Sequence, residues 1–165
     1  MIPKKAPLSG QKTQSILDSI RRIVRGLRVS SRIAERDLGI SGAQLFVLQK
    51  LDGSAGLSLN ELAKRTLTHQ SSVSVVIGRL VERGLVLRTA SKADARRLEL
   101  SLSAKGRAFL RKAPLTAQER LVAAIEELPR GQREKLATLL GLVVEKSGLS
   151  GEAPELFFEN EKENT

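Results

Sequence analysis

The sequence predicts a mostly α-helical protein with one small β-hairpin. Apolar residues recur at steps of three and four through most of the chain, which is the period of an α-helix. Leu98, Leu100 and Leu102 instead alternate with polar residues, which is the period of a strand with one buried face. At 165 residues with 41% hydrophobic content, the chain is long enough for one domain with an extension.

The first predicted helix covers 14–37, where one face is apolar and the other is rich in arginine. Gly39 follows it and is suited to the left-handed conformation that ends many helices. Ser41 and Gln44 then form an S-x-x-Q capping box, which predicts a second helix ending near Leu51, ahead of an Asp-Gly turn.

A second capping box, formed by Ser58 and Glu61, predicts a short third helix. Thr68 is a suitable N-cap for a fourth helix over 68–83, which Gly84 would end. The sequence therefore predicts one long helix followed by three shorter helices before the hairpin begins.

The hairpin is predicted over 85–102, with a polar and basic loop between its strands. Helices follow over 103–147, with Ser103 as the cap and with interruptions at Pro114 and Pro129, because proline lacks a backbone donor. This order predicts a winged helix-turn-helix domain over 41–102.

The segments outside that domain have separate expected roles. The helices over 14–37 and 103–147 need a surface that covers their apolar faces, and a second copy of the chain is the simplest one. The segment 148–165 contains five Glu and one Lys, and we expect this acidic tail to be mobile.

Net charge indicates a polyanionic partner. The whole chain carries +10, and the segment 64–112 has twelve basic and three acidic residues. Such a density is typical of nucleic-acid binding, although a merely solvated basic surface remains an alternative. Only 2% of residues are aromatic, which disfavours RNA or single-stranded DNA, since both are bound largely by stacking on aromatic side chains.

The predicted helix 68–83 has the properties of a helix that enters the DNA major groove. Its outward face carries small polar side chains together with Val75 and Gly78, where a solvated helix would usually carry charge. Hydroxyl groups can bond base edges, and a valine can contact a thymine methyl group. The candidate base contacts on this helix are Gln70, Ser71, Ser72, Ser74 and Val75.

Two sequence motifs resemble the multiple antibiotic resistance regulator (MarR) family. The stretch DARRLELSLSAKG, residues 94–106, is similar to the wing signature of that family, D-x-R followed after three residues by L-x-L-[ST]-x-x-G. The stretch SSVSVVIGRLVERGLV, residues 71–86, is similar to its recognition helix. The resemblance covers about 14–147, which is nearly the whole chain.

The resemblance implies a homodimeric, winged-helix transcriptional regulator, usually a repressor, that binds double-stranded DNA at a near-palindromic operator. It implies that Arg96 enters the minor groove, that Asp94 orients Arg96, and that Ser72 and Ser74 occupy hydroxyl positions of the recognition helix. Val75 departs from the pattern, because many members have arginine there. Members often bind a small amphipathic or aromatic effector, but the sequence does not place its binding residues.

We expect Arg97 to assist Arg96 in the minor groove. Basic and polar residues around both elements are the candidate phosphate contacts, which make DNA affinity salt-dependent. They are Lys64, Arg65, His69, Arg79, Arg88 and Lys92.

Other classes of function are less consistent with the sequence. A winged-helix protein-interaction module and a non-specific architectural DNA binder remain alternatives. We expect no enzyme, no cofactor and no metal site, because the chain has no Cys and one His, and no catalytic spacing is found. There is no apolar run of membrane-spanning length and no signal peptide, so we expect a cytoplasmic protein.

Overall fold

The computed structural model describes residues 8–54, 56–91, 97–151 and 155–158. Within these ranges the chain forms seven helices and one two-stranded antiparallel sheet, in the order helix, helix, helix, helix, hairpin, helix, helix, helix. The elements are α1 (Leu8–Leu38), α2 (Gly42–Leu51), α3 (Leu59–Thr66), α4 (Gln70–Glu82), β1 (Val86–Ala90), β2 (Leu98–Leu102), α5 (Ala104–Leu110), α6 (Ala117–Glu126) and α7 (Arg130–Lys146). The predicted fold class, a mostly helical winged helix-turn-helix protein, is therefore confirmed.

The hydrophobic core lies between α2, α3, α4 and the hairpin, with the C-terminal end of α1 packed against it. Each of these elements buries aliphatic side chains in the same core, so α2, α3, α4 and the hairpin fold as one unit, which we call the lobe. Among the described residues, the largest fully buried side chains are Phe46, Ile40, Leu45, Leu48, Leu51, Leu62, Ile77, Leu80, Val47, Val73, Val76 and Val86.

The hairpin pairs Val86 with Leu102 and Ala90 with Leu98 at its two ends. Leu57, just before α3, adds a further bridge to the sheet through two backbone hydrogen bonds with Leu100, of 2.9 and 2.7 Å. Leu98 is 58% exposed, so the alternating leucines are buried only at Leu100 and Leu102. The end of the hairpin nearest its loop extends beyond the core.

Both predicted capping boxes are present at Ser41 and Ser58, but the predicted N-cap at Thr68 is wrong. Leu67 has a left-handed backbone with φ of 55°, and the Thr68 backbone N–H donates to the Ala63 carbonyl at 3.1 Å. Thr68 thus belongs to the end of α3, and His69 becomes the N-cap of α4 without a side-chain cap bond. The turn between the two helices uses one more residue than the sequence pattern indicated.

The helices outside the lobe leave apolar side chains exposed. The first helix is longer than predicted, and the C-terminal helices break at both prolines as expected, with Thr116 as an additional cap. The large hydrophobic residues that are more than one-third exposed on α1 and α7 are Ile16, Leu17, Ile20, Ile23, Val24, Val29, Ile33, Leu139, Leu140, Leu142, Val143 and Val144. No helix in the described ranges is long and apolar enough to cross a lipid bilayer.

A short segment of the acidic tail, 155–158, lies against the helical body. Leu156 is only 4% exposed, and the Arg28 guanidinium lies 5.8 Å from the centre of the Phe158 ring. Burial of Leu156 gives this segment a defined position, and the mobility expected for the tail as a whole stays a prediction.

Candidate nucleic-acid interface

The outward face of α4 is open, small and almost uncharged in its N-terminal half. Val75 is 52% exposed, and a Cβ atom added at Gly78 would meet no heavy atom within 4 Å. On the opposite side of the helix, a continuous apolar stripe is completely buried: Val73, Val76, Ile77 and Leu80. The core therefore fixes how α4 is rotated and presents the outward residues to solvent.

The polar candidate base contacts lie along this same outward surface. Gln70 and Ser71 are exposed in the first turn, while Ser72 and Ser74 are half-buried at its edges. His69 precedes them as an exposed N-cap residue. The positive end of the helix dipole lies at this first turn and favours negatively charged groups such as phosphate.

Cationic side chains lie on α4 and on the two adjacent elements α3 and β1. Lys64 and Arg65 are exposed in the last turn of α3, Arg79 is half-buried on α4, and Arg88 is exposed on β1. The Arg65 Nη1 also lies 3.4 Å from the backbone carbonyl of Lys50. Cations on α4 and on the two elements in contact with it favour a positive potential on this side of the protein, which suits a DNA backbone.

The predicted wing contacts are only partly within the described residues. Lys92, Asp94 and Arg96 lie outside them, so their expected roles stay predictions. Arg97 is exposed just before β2, and its carbonyl accepts a hydrogen bond of 2.8 Å from the Ser91 backbone N–H. This bond closes the base of the hairpin loop.

Glu61 connects the helix cap of α3 to the charge around the wing. The Ser58 hydroxyl donates to its carboxylate at 2.6 Å and the Ser58 backbone N–H at 2.8 Å, and together they lower the pKa of Glu61. The positive charges of Arg97 and Lys64 lower this pKa further. The base of the wing is therefore near the N-terminus of α3.

We expect Ser58→Ala to raise the pKa of Glu61 towards its ordinary value, because the largest cause of the depression is lost. A lowered folded-state pKa stabilises the fold above the unfolded-state pKa, and this contribution is lost as pH falls through the folded-state pKa. Carboxyl chemical shifts followed by NMR during a pH titration measure the change. Ser41→Ala, in the capping box with the uncharged Gln44, is the matched control, and an unshifted Glu61 in Ser58→Ala contradicts the interpretation.

Sequence reasoning did not locate a cavity of about 580 Å³ between α1, α2 and the 114–120 segment. Its lining includes the apolar Leu45, the cap residue Thr116 and three arginines: Arg22, Arg25 and Arg120. The arginine-rich face of α1 was visible in the sequence. The other walls come from distant parts of the chain, so the pattern alone could not assemble the cavity.

The helix α4 with its open outward face, the basic residues on and beside it, and the hairpin that follows it define a winged helix-turn-helix protein of the DNA-binding class. A family profile described as MarR family matches residues 38–97. The transcriptional repressor MdtR of Bacillus subtilis is 37% identical over 68 residues, which are 41% of this chain and 44% of that protein. A helix-turn-helix transcriptional repressor of Mycobacterium tuberculosis is 28% identical over 119 residues, 72% of this chain and 86% of that protein.

Solved structures show the same fold. The Bordetella bronchiseptica regulator BpsR, whose DNA binding is regulated by 6-hydroxynicotinic acid, superposes with a TM-score of 0.53. It is 21% identical, and the match covers 92% of this chain and 99% of that one. Residues 38–97 of this chain thus match the MarR family, and the relatives to which the chain is similar are helix-turn-helix transcriptional repressors.

Proposed function

We propose that this chain is a homodimeric repressor that binds a near-palindromic operator in double-stranded DNA. In this proposal the protein acts in the cytoplasm and is not an enzyme. The observation that carries the proposal is the outward face of α4. There Val75 is exposed and open space lies above Gly78, with cations on the same helix and on the adjacent α3 and β1, an arrangement that suits close approach to bases.

The residues divide into three groups in this proposal. Side chains on the outer surface of α4 contact base edges in the major groove: Gln70, Ser71, Ser72, Ser74 and Val75. The wing arginines Arg96 and Arg97 enter the minor groove, with Asp94 orienting the first of them. The remaining groups contact phosphates and supply most of the salt-dependent affinity: Lys64, Arg65, His69, Arg79, Arg88 and Lys92.

The exposed apolar faces of α1 and α7 support the dimer. Several large aliphatic side chains on each of these helices are about half exposed, which a soluble lone subunit would leave in contact with water. A second copy covers them and places two copies of α4 about 34 Å apart, one turn of B-DNA.

The cavity between α1, α2 and the 114–120 segment, which three arginines help to line, supports control of DNA binding by an anionic amphipathic effector. A lining that combines apolar side chains with three arginines suits a small molecule that carries a carboxylate. The BpsR regulator responds to such a compound. A ligand that prefers dimers with unsuitably spaced lobes weakens DNA binding.

Fluorescence titration of the full chain with duplex DNA at two salt concentrations tests the DNA-binding proposal. A regulator loses affinity steeply as salt rises, and it prefers a duplex selected from a random pool over a scrambled one. A protein-interaction module shows little salt-dependent DNA affinity. An architectural binder shows the salt dependence but no preference for the selected duplex.

We expect Val75→Ala to relax the preference for thymine at one position in each half-site without weakening binding to other sequences. Removing two methyl groups eliminates an apolar contact with the thymine methyl group, which is worth about 1 kcal/mol or slightly more. Binding to a set of duplexes with all four bases at each position measures this. An unchanged base preference would remove Val75 from the contact surface.

A further inference from the structure

A polar joint connects the C-terminal end of α2 to the segment that begins α6. Lys50 Nζ lies 2.8 Å from Glu119 Oε1, and Gln49 Nε2 donates to the Pro114 carbonyl at 2.8 Å. The Thr116 backbone N–H lies 3.4 Å from Gln49 Oε1. These contacts join the DNA-binding lobe to the helices outside it, across 65 to 69 residues of sequence.

The opposite end of α2 has its own attachment to α1. The Gly42 backbone N–H donates to the Ser31 hydroxyl at 3.1 Å, and a Cβ atom at Gly42 would lie 3.1 Å from the Ser31 Cα. This close packing fixes one end of the helix. Because the ten residues of α2 extend over about 15 Å, the joint at its far end fixes the direction of the lobe as well as its position.

The Lys50–Glu119 ion pair is not expected to add much to the free energy of unfolding. The two side chains are only 18% and 28% exposed, yet Glu119 Oε2 is removed from solvent and has no hydrogen-bond partner among the described residues. Dehydrating a charge costs free energy, and one ion pair with an unpaired oxygen recovers this cost incompletely.

We propose that Lys50 and Glu119, with Gln49, are positioning residues that set the angle of each DNA-binding lobe and thereby the half-site spacing that the dimer accepts. This inference rests on the proposed function. Thr116 belongs both to this joint and to the lining of the cavity between α1, α2 and the 114–120 segment. Any movement of the 114–119 segment therefore reaches α2 directly.

The test uses the full chain and three duplexes: one selected from a random pool, and the same duplex with one base pair inserted or deleted between its half-sites. One base pair rotates a half-site by about 35° and moves it by about 3.4 Å. We expect the wild type to bind the altered duplexes about tenfold more weakly, comparable to one mismatched base pair. For Glu119→Ala we expect the three affinities to agree within about threefold, since a freer lobe adjusts at lower cost.

Lys50→Ala tests the same joint from the other side and replaces Glu119→Ala if that variant does not fold. Glu134→Ala is the matched control, because it removes an exposed ion pair with Arg130 on α7 and leaves the joint intact. Thermal unfolding identifies the folded variants. The inference is overturned if a folded joint variant discriminates between spacings as the wild type does, or if the wild type does not discriminate at all. A wild type that binds no DNA at either salt concentration overturns the proposed function itself.

Discussion

Gly78→Glu is expected to lower the affinity for operator DNA by at least about a hundredfold while leaving the protein folded. Gly78 is on the outward face of α4, one turn beyond Val75, and a new side chain there meets no atom of the described chain within 4 Å. The glutamate is therefore accommodated in the free protein. In a complex it would place a carboxylate between the helix and the DNA, where it clashes with bases and repels phosphates.

The free energy of unfolding should rise slightly or stay constant in this variant, because glutamate favours helix more than glycine does. Gly10→Glu is the matched control: the residue is also helical and in open space, near the start of α1. Titration with the selected duplex and thermal unfolding of both variants separate binding from folding. If Gly78→Glu retains wild-type affinity, the outward face of α4 does not contact DNA.

Features of the fold that depend on neighbouring residues could be predicted from the sequence. The capping boxes at Ser41 and Ser58 and the helix ends at Gly39 and Gly84 each depend on interactions within one turn, and each is found in the structure. The prediction at Thr68 was wrong because this residue takes part in the end of α3 instead of the start of α4. Its backbone N–H donates to the Ala63 carbonyl, and the left-handed backbone of Leu67 brings the two groups together.

The rotation of α4 was equally predictable, because its apolar stripe leaves one orientation that buries all four core residues. The cavity and the joint at Lys50 and Glu119 could not be predicted from the sequence. Each brings together residues that are far apart in the chain, such as the Ala117 backbone N–H and the Ser30 hydroxyl, which are 87 positions apart. No periodicity within one element encodes such pairings.

Gly106→Ala is expected to destabilise the protein by about 3 kcal/mol or more. Gly106 is the glycine of the wing signature, and a Cβ atom on it would overlap the Leu85 carbonyl oxygen, a backbone atom that cannot rotate away. Three hydrogen bonds hold this contact in place. Ser103 Oγ donates to the Gly84 carbonyl at 2.7 Å and accepts from the Gly106 N–H at 2.9 Å, and the Ser103 N–H donates to the Leu85 carbonyl at 3.0 Å.

Relief of the overlap requires α5 to move away from 84–85, which breaks those bonds and shifts β1 at the start of the wing. Gly78→Ala is the matched control, because it makes the same chemical change in a helix with open space and should stabilise by up to about 1 kcal/mol. Urea denaturation of both variants at equal protomer concentration measures the difference, since dimer stability depends on concentration. Equal midpoints for Gly106→Ala and the wild type would mean that the backbone contact at Leu85 does not fix α5, and the glycine of the signature would then need another physical reason.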